Sequence, residues 1–116
     1  MHPTSRLQAL LFATVALTGA YFYQGGGWNQ NSRLDLTRAM VEQRTLRIDA
    51  LHGNTGDKAL VRGAYYCDKA PGTSWLAVPW YAAARAVGRG RLAARPLLVL
   101  CSYAATVGAV VLPSAA

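Results

Sequence analysis

Apolar positions gather into three long runs along this chain instead of spreading evenly. Residues 7–23 carry no charge, nor do residues 96–116, and each run approaches the roughly 20 apolar residues that cross a bilayer as a helix. A third run, residues 70–88, has similar length but contains Pro79 and Arg85. Proline is tolerated in a membrane helix because neighbouring groups satisfy the freed carbonyl, and an arginine near a helix end extends its head to the interface. The expected fold is mainly α and integral to the membrane. It has about three transmembrane helices over 7–23, 70–88 and 96–116, a large external loop over 24–69 and a short cytoplasmic loop over 89–95.

Between the first two runs the pattern changes. Leu34, Thr37 and Val41 fall on one helical stripe with Leu36 and Met40 beside it, while Arg33, Asp35, Arg38, Glu42 and Arg44 occupy much of the remaining surface. That spacing predicts an amphipathic helix over residues 28–44, with Asn31 or Ser32 as its N-cap. Hinged by the glycines at 25–27 and led by Trp28, it either lies parallel to the membrane surface or packs on the loop's own core; periodicity weighs the two equally. Residues 45–50 alternate in the manner of a short strand or extended segment, residues 52–58 are turn-rich, and residues 61–66 predict a small hairpin turning at Arg62-Gly63. Pro71 and Gly72 end what comes before and suit the first turn of the next helix.

Composition sharpens the membrane reading. Of 116 residues, 53% are hydrophobic and 15% charged, more apolar surface than a soluble domain of this length buries well. The net charge of +7 is not laid out as a groove-reading patch interleaved with aromatics, so nucleic acid is not an expected partner. The cations follow topology instead. Arg85, Arg89, Arg91 and Arg95 stand with no acid among them, whereas residues 24–69 hold seven cations against five acids. The positive-inside rule places the arginine loop and the N-terminus, with Arg6, in the cytoplasm. By alternation the long loop and the C-terminus fall outside, and the expected location is a bacterial inner membrane.

The first run also fits a signal peptide with Thr18-Gly19-Ala20 as a poor cleavage site, but Tyr21, Phe22 and Tyr23 suit the outer aromatic belt of an uncleaved anchor. Cys67 and Cys101 are expected near opposite faces, beyond disulfide reach. His2 and His52 lack a neighbouring ligand, so neither a metal nor a cofactor is expected, and His52 reads as a solvated loop residue.

The candidate chemistry lies in Tyr65-Tyr66-Cys67-Asp68-Lys69-Ala70-Pro71-Gly72, which sets an acid–base pair directly before an apolar run. Ionised groups beside lipid are costly unless they are paired, stay at the wet interface or serve a polar ligand, so the octet reads either as the lip of a membrane-facing site or as a solvated turn. On the same side of the membrane stands Trp28-Asn29-Gln30-Asn31-Ser32-Arg33.

Together these fragments resemble the start of the multi-span glycosyltransferases with the C-type membrane fold, the group that includes protein mannosyltransferases and bacterial aminoarabinose transferase. In that family a D-E-x-R sequence follows the first helix and a Y-x-E-K-P sequence precedes the second. Arg33 falls on the arginine of the first motif and Lys69 on the lysine of the second. Asp68 takes the place of the glutamate, Tyr66 lies near the tyrosine, and Gln30 and Asn31 stand where the family has its catalytic aspartate and a glutamate. The resemblance covers about residues 7 to 90. It is strongest to bacterial glycosyltransferase-like proteins with N-Q-N-S-R, T-G-D-K and Y-Y-x-D-K-A-P-G.

The resemblance implies transfer of a sugar from a polyprenyl-phosphate donor at the outer face, with Lys69, Arg33 and Tyr66 at the lipid phosphate. Cations at such a lip stabilise the charge that develops on the leaving phosphate. A carboxylate must accept the acceptor's proton, and with Gln30 unable to do so the candidates are Asp68 and Asp57, with Asp35 third. Family members have many more spans than three. The chain is therefore expected to be an N-terminal piece of such an enzyme, a truncated frame, or a small relative without catalysis. Its expected partners are membrane lipids, the polyprenyl-phosphate donor, and the missing C-terminal part or another membrane subunit. The competing class is a non-catalytic membrane protein whose outer loop binds a partner or anionic lipid.

Overall fold

The structure, a computed structural model, describes residues 3–116 and is mainly helical. Helix α1 (Pro3–Tyr21) leads through glycines to α2 (Trp28–Arg38), which continues as a π-helical turn (Ala39–Gln43) and stops at Arg44 in the left-handed region. A 3₁₀ turn (His52–Asn54) precedes a hairpin of β1 (Lys58–Val61) and β2 (Ala64–Cys67). Helix α3 (Gly72–Gly88) follows, then α4 (Ala94–Thr106), a second π turn (Val107–Val111) and α5 (Leu112–Ala115).

Among the described residues one continuous helical stretch, Ala94–Ala115, is long and apolar enough to cross a membrane. Helices α1 and α3, of 19 and 17 residues, do not meet that measure. Thr4, Ser5, Arg6 and Gln8 dilute the start of α1, and Gly72, Thr73 and Ser74 dilute that of α3. The expectation of about three transmembrane helices thus reduces to one helix with the dimensions of a span.

Helices α3 and α4 form an antiparallel hairpin held by small residues. Ala77, Ala105 and Ala109 let the backbones approach around buried Tyr81 and Cys101, and Leu34 and Val41 of α2 pack against the same cluster. Gly108 gives room to the Trp80 indole, which a Cβ at that position would strike. The opposite side of α2 joins a second cluster, in which Leu36, Ala39 and Ile48 are buried with Met40, Leu51, Tyr65 and Cys67 around them. The helix is therefore covered on both sides, by α3 and α4 and by its own loop. Of the two placements expected for α2, parallel to the membrane surface or packed on its own loop, the structure has the second, with α3 and α4 covering the other side: its stripe is wide enough to serve two interiors at once.

Its start differs from expectation as well. The N-cap is Gly27 without a side-chain cap, because Asn31 and Ser32 lie inside the helix and bond elsewhere. The hairpin turns at Arg62 (φ 50°) and Gly63 (φ 79°), and this pair of positive φ values defines the type I′ turn that matches strand twist. Lys58 pairs with Cys67 and Val61 with Ala64. Residues 45–50 do not add a strand. Only Ile48 donates a backbone bond to β2, to the Tyr65 oxygen at 2.9 Å, and the Asp49 carboxylate takes the Tyr65 N–H at 2.7 Å, replacing the ladder bond of a third strand.

Helix α1 has no buried residue. It meets the distal half of the α4 stretch, with Gly19 against Val111, and the Tyr103 hydroxyl donates to the Ala20 carbonyl at 3.1 Å. Tyr23 hydrogen-bonds Ser102. Contacts move down the α4 stretch as they move up α1, so the two run antiparallel, whereas alternation of three spans makes them parallel.

Candidate functional site

The hairpin returns the chain to the start of α3 and brings the expected lip residues together. Lys69 Nζ lies 3.2 Å from Asp57 Oδ2 and 3.3 Å from Asp68 Oδ1, all three side chains being partly exposed. The Asp57 hydrogen bond, followed by that of Asp68, raises the Lys69 pKa above its ordinary value. This lysine is a cation already neutralised by two carboxylates. Ser32 fastens the lip to α2 from beneath: its fully buried hydroxyl donates to the Asp57 carbonyl at 2.5 Å and lies 3.1 Å from Cys67 Sγ.

Arg33 is placed differently. Its Nε donates to Asn29 Oδ1 at 2.8 Å, and its Nη1 donates to Thr73 Oγ1 at 3.1 Å and reaches the Ala70 carbonyl at 3.5 Å. Among the described residues no carboxylate pairs with it. Its backbone is locked to α3, since Ser74 Oγ donates to the Arg33 carbonyl at 2.9 Å and Thr37 Oγ1 lies 3.1 Å from both that oxygen and the Ser74 carbonyl. A cavity of about 260 Å³ opens beside Arg33. Its lining mixes polar residues, among them Gln30, Thr37, Thr73 and Thr106, with apolar ones, among them Ala77, Ala105 and Val110.

The expected site residues therefore divide. Arg33 lines the cavity with Gln30 and Asn31, whereas Asp57, Asp68, Lys69 and Tyr66 do not. Tyr66 is half-buried and pairs with Ala59 in the hairpin, on the strand face opposite Tyr65 and Cys67. Asn31 donates to the Asn54 carbonyl at 2.8 Å and so serves the loop. His52, expected as a solvated residue, stacks on Tyr65 with centroids 3.9 Å apart and accepts from Lys58 Nζ at Nδ1, 2.9 Å away. Cys67 and Cys101 are free thiols. Among the described residues no group of three His, Cys, Asp or Glu side chains converges to hold a metal; His2 lies outside them.

Two polar features were not legible from sequence. Asp35 is fully buried: Oδ1 accepts from Asn54 Nδ2 at 3.3 Å and Oδ2 has no partner. Burial pushes its pKa up to about 6, against the pull of Asn54 and Arg38. Its place between Leu34 and Leu36 is the one sequence signal of burial. In the second feature, Glu42 accepts from the Tyr81 hydroxyl at 2.5 Å and lies 3.4 Å from Arg85 Nη1 and 3.5 Å from Arg38 Nε. Arg85 thus belongs to α3 and meets a residue of the 24–69 loop, although the sequence reading sets those two segments toward opposite faces.

No family model, curated protein or solved structure matches the chain.

Proposed function

We propose that this chain forms part of a multi-pass inner-membrane glycosyltransferase of the C-type kind and seats the polyprenyl-phosphate donor in the cavity beside α2. The observation that carries this reading is Arg33: among the described residues it has no carboxylate partner, and it lines a cavity of mixed polar and apolar residues. A lipid phosphate needs that combination, with a guanidinium and the Thr73 hydroxyl for the oxygens and Ala77, Ala105 and Val110 for the first isoprene units. The exposed apolar surface of α1 supports a lipid environment.

In this reading Arg33 is the first phosphate contact. Lys69 stands outside that cavity, at the lip and paired with two carboxylates, so its charge acts on the phosphate less directly. Gln30 takes no proton at neutral pH, so the acceptor's proton passes to Asp68 or Asp57, the carboxylates at the lip beside Lys69.

The test is binding of a short-chain polyprenyl phosphate to the detergent-solubilised protein. Arg33→Gln is expected to weaken binding roughly ten- to a hundredfold, as loss of a charge-assisted hydrogen bond does, and Lys69→Met by less. Arg47→Gln, a change of solvated charge, is expected to be neutral. Equal affinity in all four proteins would overturn the proposal.

A further inference from the structure

Arginines 89, 91 and 95 have a surrounding that nothing above uses. All three side chains are exposed. Residues 70–116 contain no aspartate or glutamate, and among the described residues none of the three forms an ion pair. Gly90, at φ +81°, turns the loop, and Arg91 Nη1 donates to the Val87 carbonyl at 2.7 Å, which caps the end of α3 with a cation.

The positive end joins an apolar groove. Arg95 opens an open groove of about 570 Å³ whose floor is the stripe Pro96, Val99, Leu100 and Tyr103, with Tyr23 as the far wall. Val99 and Leu100 are 58% and 36% exposed, so the stripe is not covered by another part of this chain. Tyr23 and Tyr103 meet edge to face with centroids 5.5 Å apart, an aromatic pair of the kind enriched where a membrane meets water. A cation at one end, an apolar trough about 12 Å long at 1.5 Å per residue, and a tyrosine pair at its far end match an amphiphile with an anionic head. A free anion has no use for the trough, and an acidic peptide has no use for its apolar length.

We propose that Arg95, flanked by Arg89 and Arg91, holds the phosphate-bearing headgroup of an anionic phospholipid whose acyl chain lies along Val99, Leu100 and Tyr103. The groove shares Tyr23 with the donor cavity, but Arg33 does not line it and the headgroup lies at Arg95. The site ties the α3–α4 turn and the end of α1 to one lipid.

The experiment titrates the full chain in a neutral detergent with dioleoyl-phosphatidylglycerol or dioleoyl-phosphatidylcholine and counts bound lipid by native mass spectrometry. The parent is expected to prefer the anionic lipid by about fivefold per arginine, or roughly a hundredfold for three. Arg89→Gln/Arg91→Gln/Arg95→Gln is expected to erase the preference while leaving the circular dichroism spectrum unchanged. Val99→Ser is expected to weaken both lipids, and Arg47→Gln to change neither. Equal binding of the two lipids by the parent, a preference retained in the triple variant, or displacement of phosphatidylglycerol by inorganic phosphate alone would each overturn the proposal.

Discussion

Residues 28–67 and helix α1 are both rich in apolar side chains, yet they are held in opposite ways. In the first region Ile48, Leu36 and Ala39 are buried and polar side chains stitch the interior: Ser32 to Asp57, Asn31 to Asn54, Thr55 Oγ1 to the Trp28 carbonyl and Asp49 to Tyr65. In α1 nothing is buried, and Leu7, Leu10, Leu11 and Leu17 are 58 to 71% exposed. A segment of mixed polarity builds an interior because its polar groups satisfy one another while its apolar groups leave water. Helix α1 buries none of its side chains, so its leucines draw little packing energy from the rest of this fold.

The contrast breaks most sharply at Ile48, which is 0% exposed. Ile48→Ala is expected to destabilise the protein by about 2–5 kcal/mol, whereas Leu10→Ala in α1 costs less than about 0.5 kcal/mol. Equilibrium unfolding in detergent measures both. Amide exchange should show the Ile48 effect within residues 45–67 and not along α3 and α4; a uniform rise along the chain would mean the two regions share one core.

Asp35 sharpens the same comparison by pH. Its folded pKa of about 6 lies above the ordinary 3.8, so the folded state binds the proton more tightly than the unfolded one. That contribution is fully present below about pH 4 and is lost as pH rises through 6. Asp35→Asn keeps an acceptor for Asn54 and removes the charge. It is expected to raise stability at pH 7.5 by on the order of 2 kcal/mol and to flatten the decline between pH 4 and 6. An unchanged pH profile would show that the carboxylate is hydrated.

The smallest expected effect lies in the helix pair. Gly108→Ala places a Cβ on the Trp80 indole and is expected to cost about 1–2 kcal/mol through overpacking. Trp80→Leu in the same background should recover most of that loss; no recovery would move the strain elsewhere.

The parts of the fold legible in the sequence are those with a local cause. A 3.6-residue stripe marked α2, the Arg62-Gly63 turn marked the hairpin, and long apolar runs marked α1, α3 and α4. Residues 45–50 alternate as a strand does, but alternation records which faces differ and not whether a neighbour supplies hydrogen bonds. Asp49 satisfied the one free N–H with its side chain. In the candidate site, Arg33 and the Lys69 cluster follow from their motifs. The approach of Asp57 to Lys69, the isolation of Asp35 and the meeting of Glu42 with Tyr81 and Arg85 depend on contacts 12 to 43 residues apart, and no local pattern encodes those.

The π turn at Ala39–Gln43 fixes the phase of everything after it. At about 100° per residue, Arg33 and Glu42, nine positions apart, stand about half a rotation from each other on a regular α-helix. Here both reach α3, Arg33 at Thr73 and Glu42 at Tyr81 and Arg85, because the widened turn absorbs part of that rotation. A turn of this kind holds one residue more than the helix around it needs. Removing a single codon from it would leave composition, charge and hydropathy nearly untouched while swinging Glu42 out of line with Tyr81. In this stretch the length of the chain carries information that the identity of its residues does not.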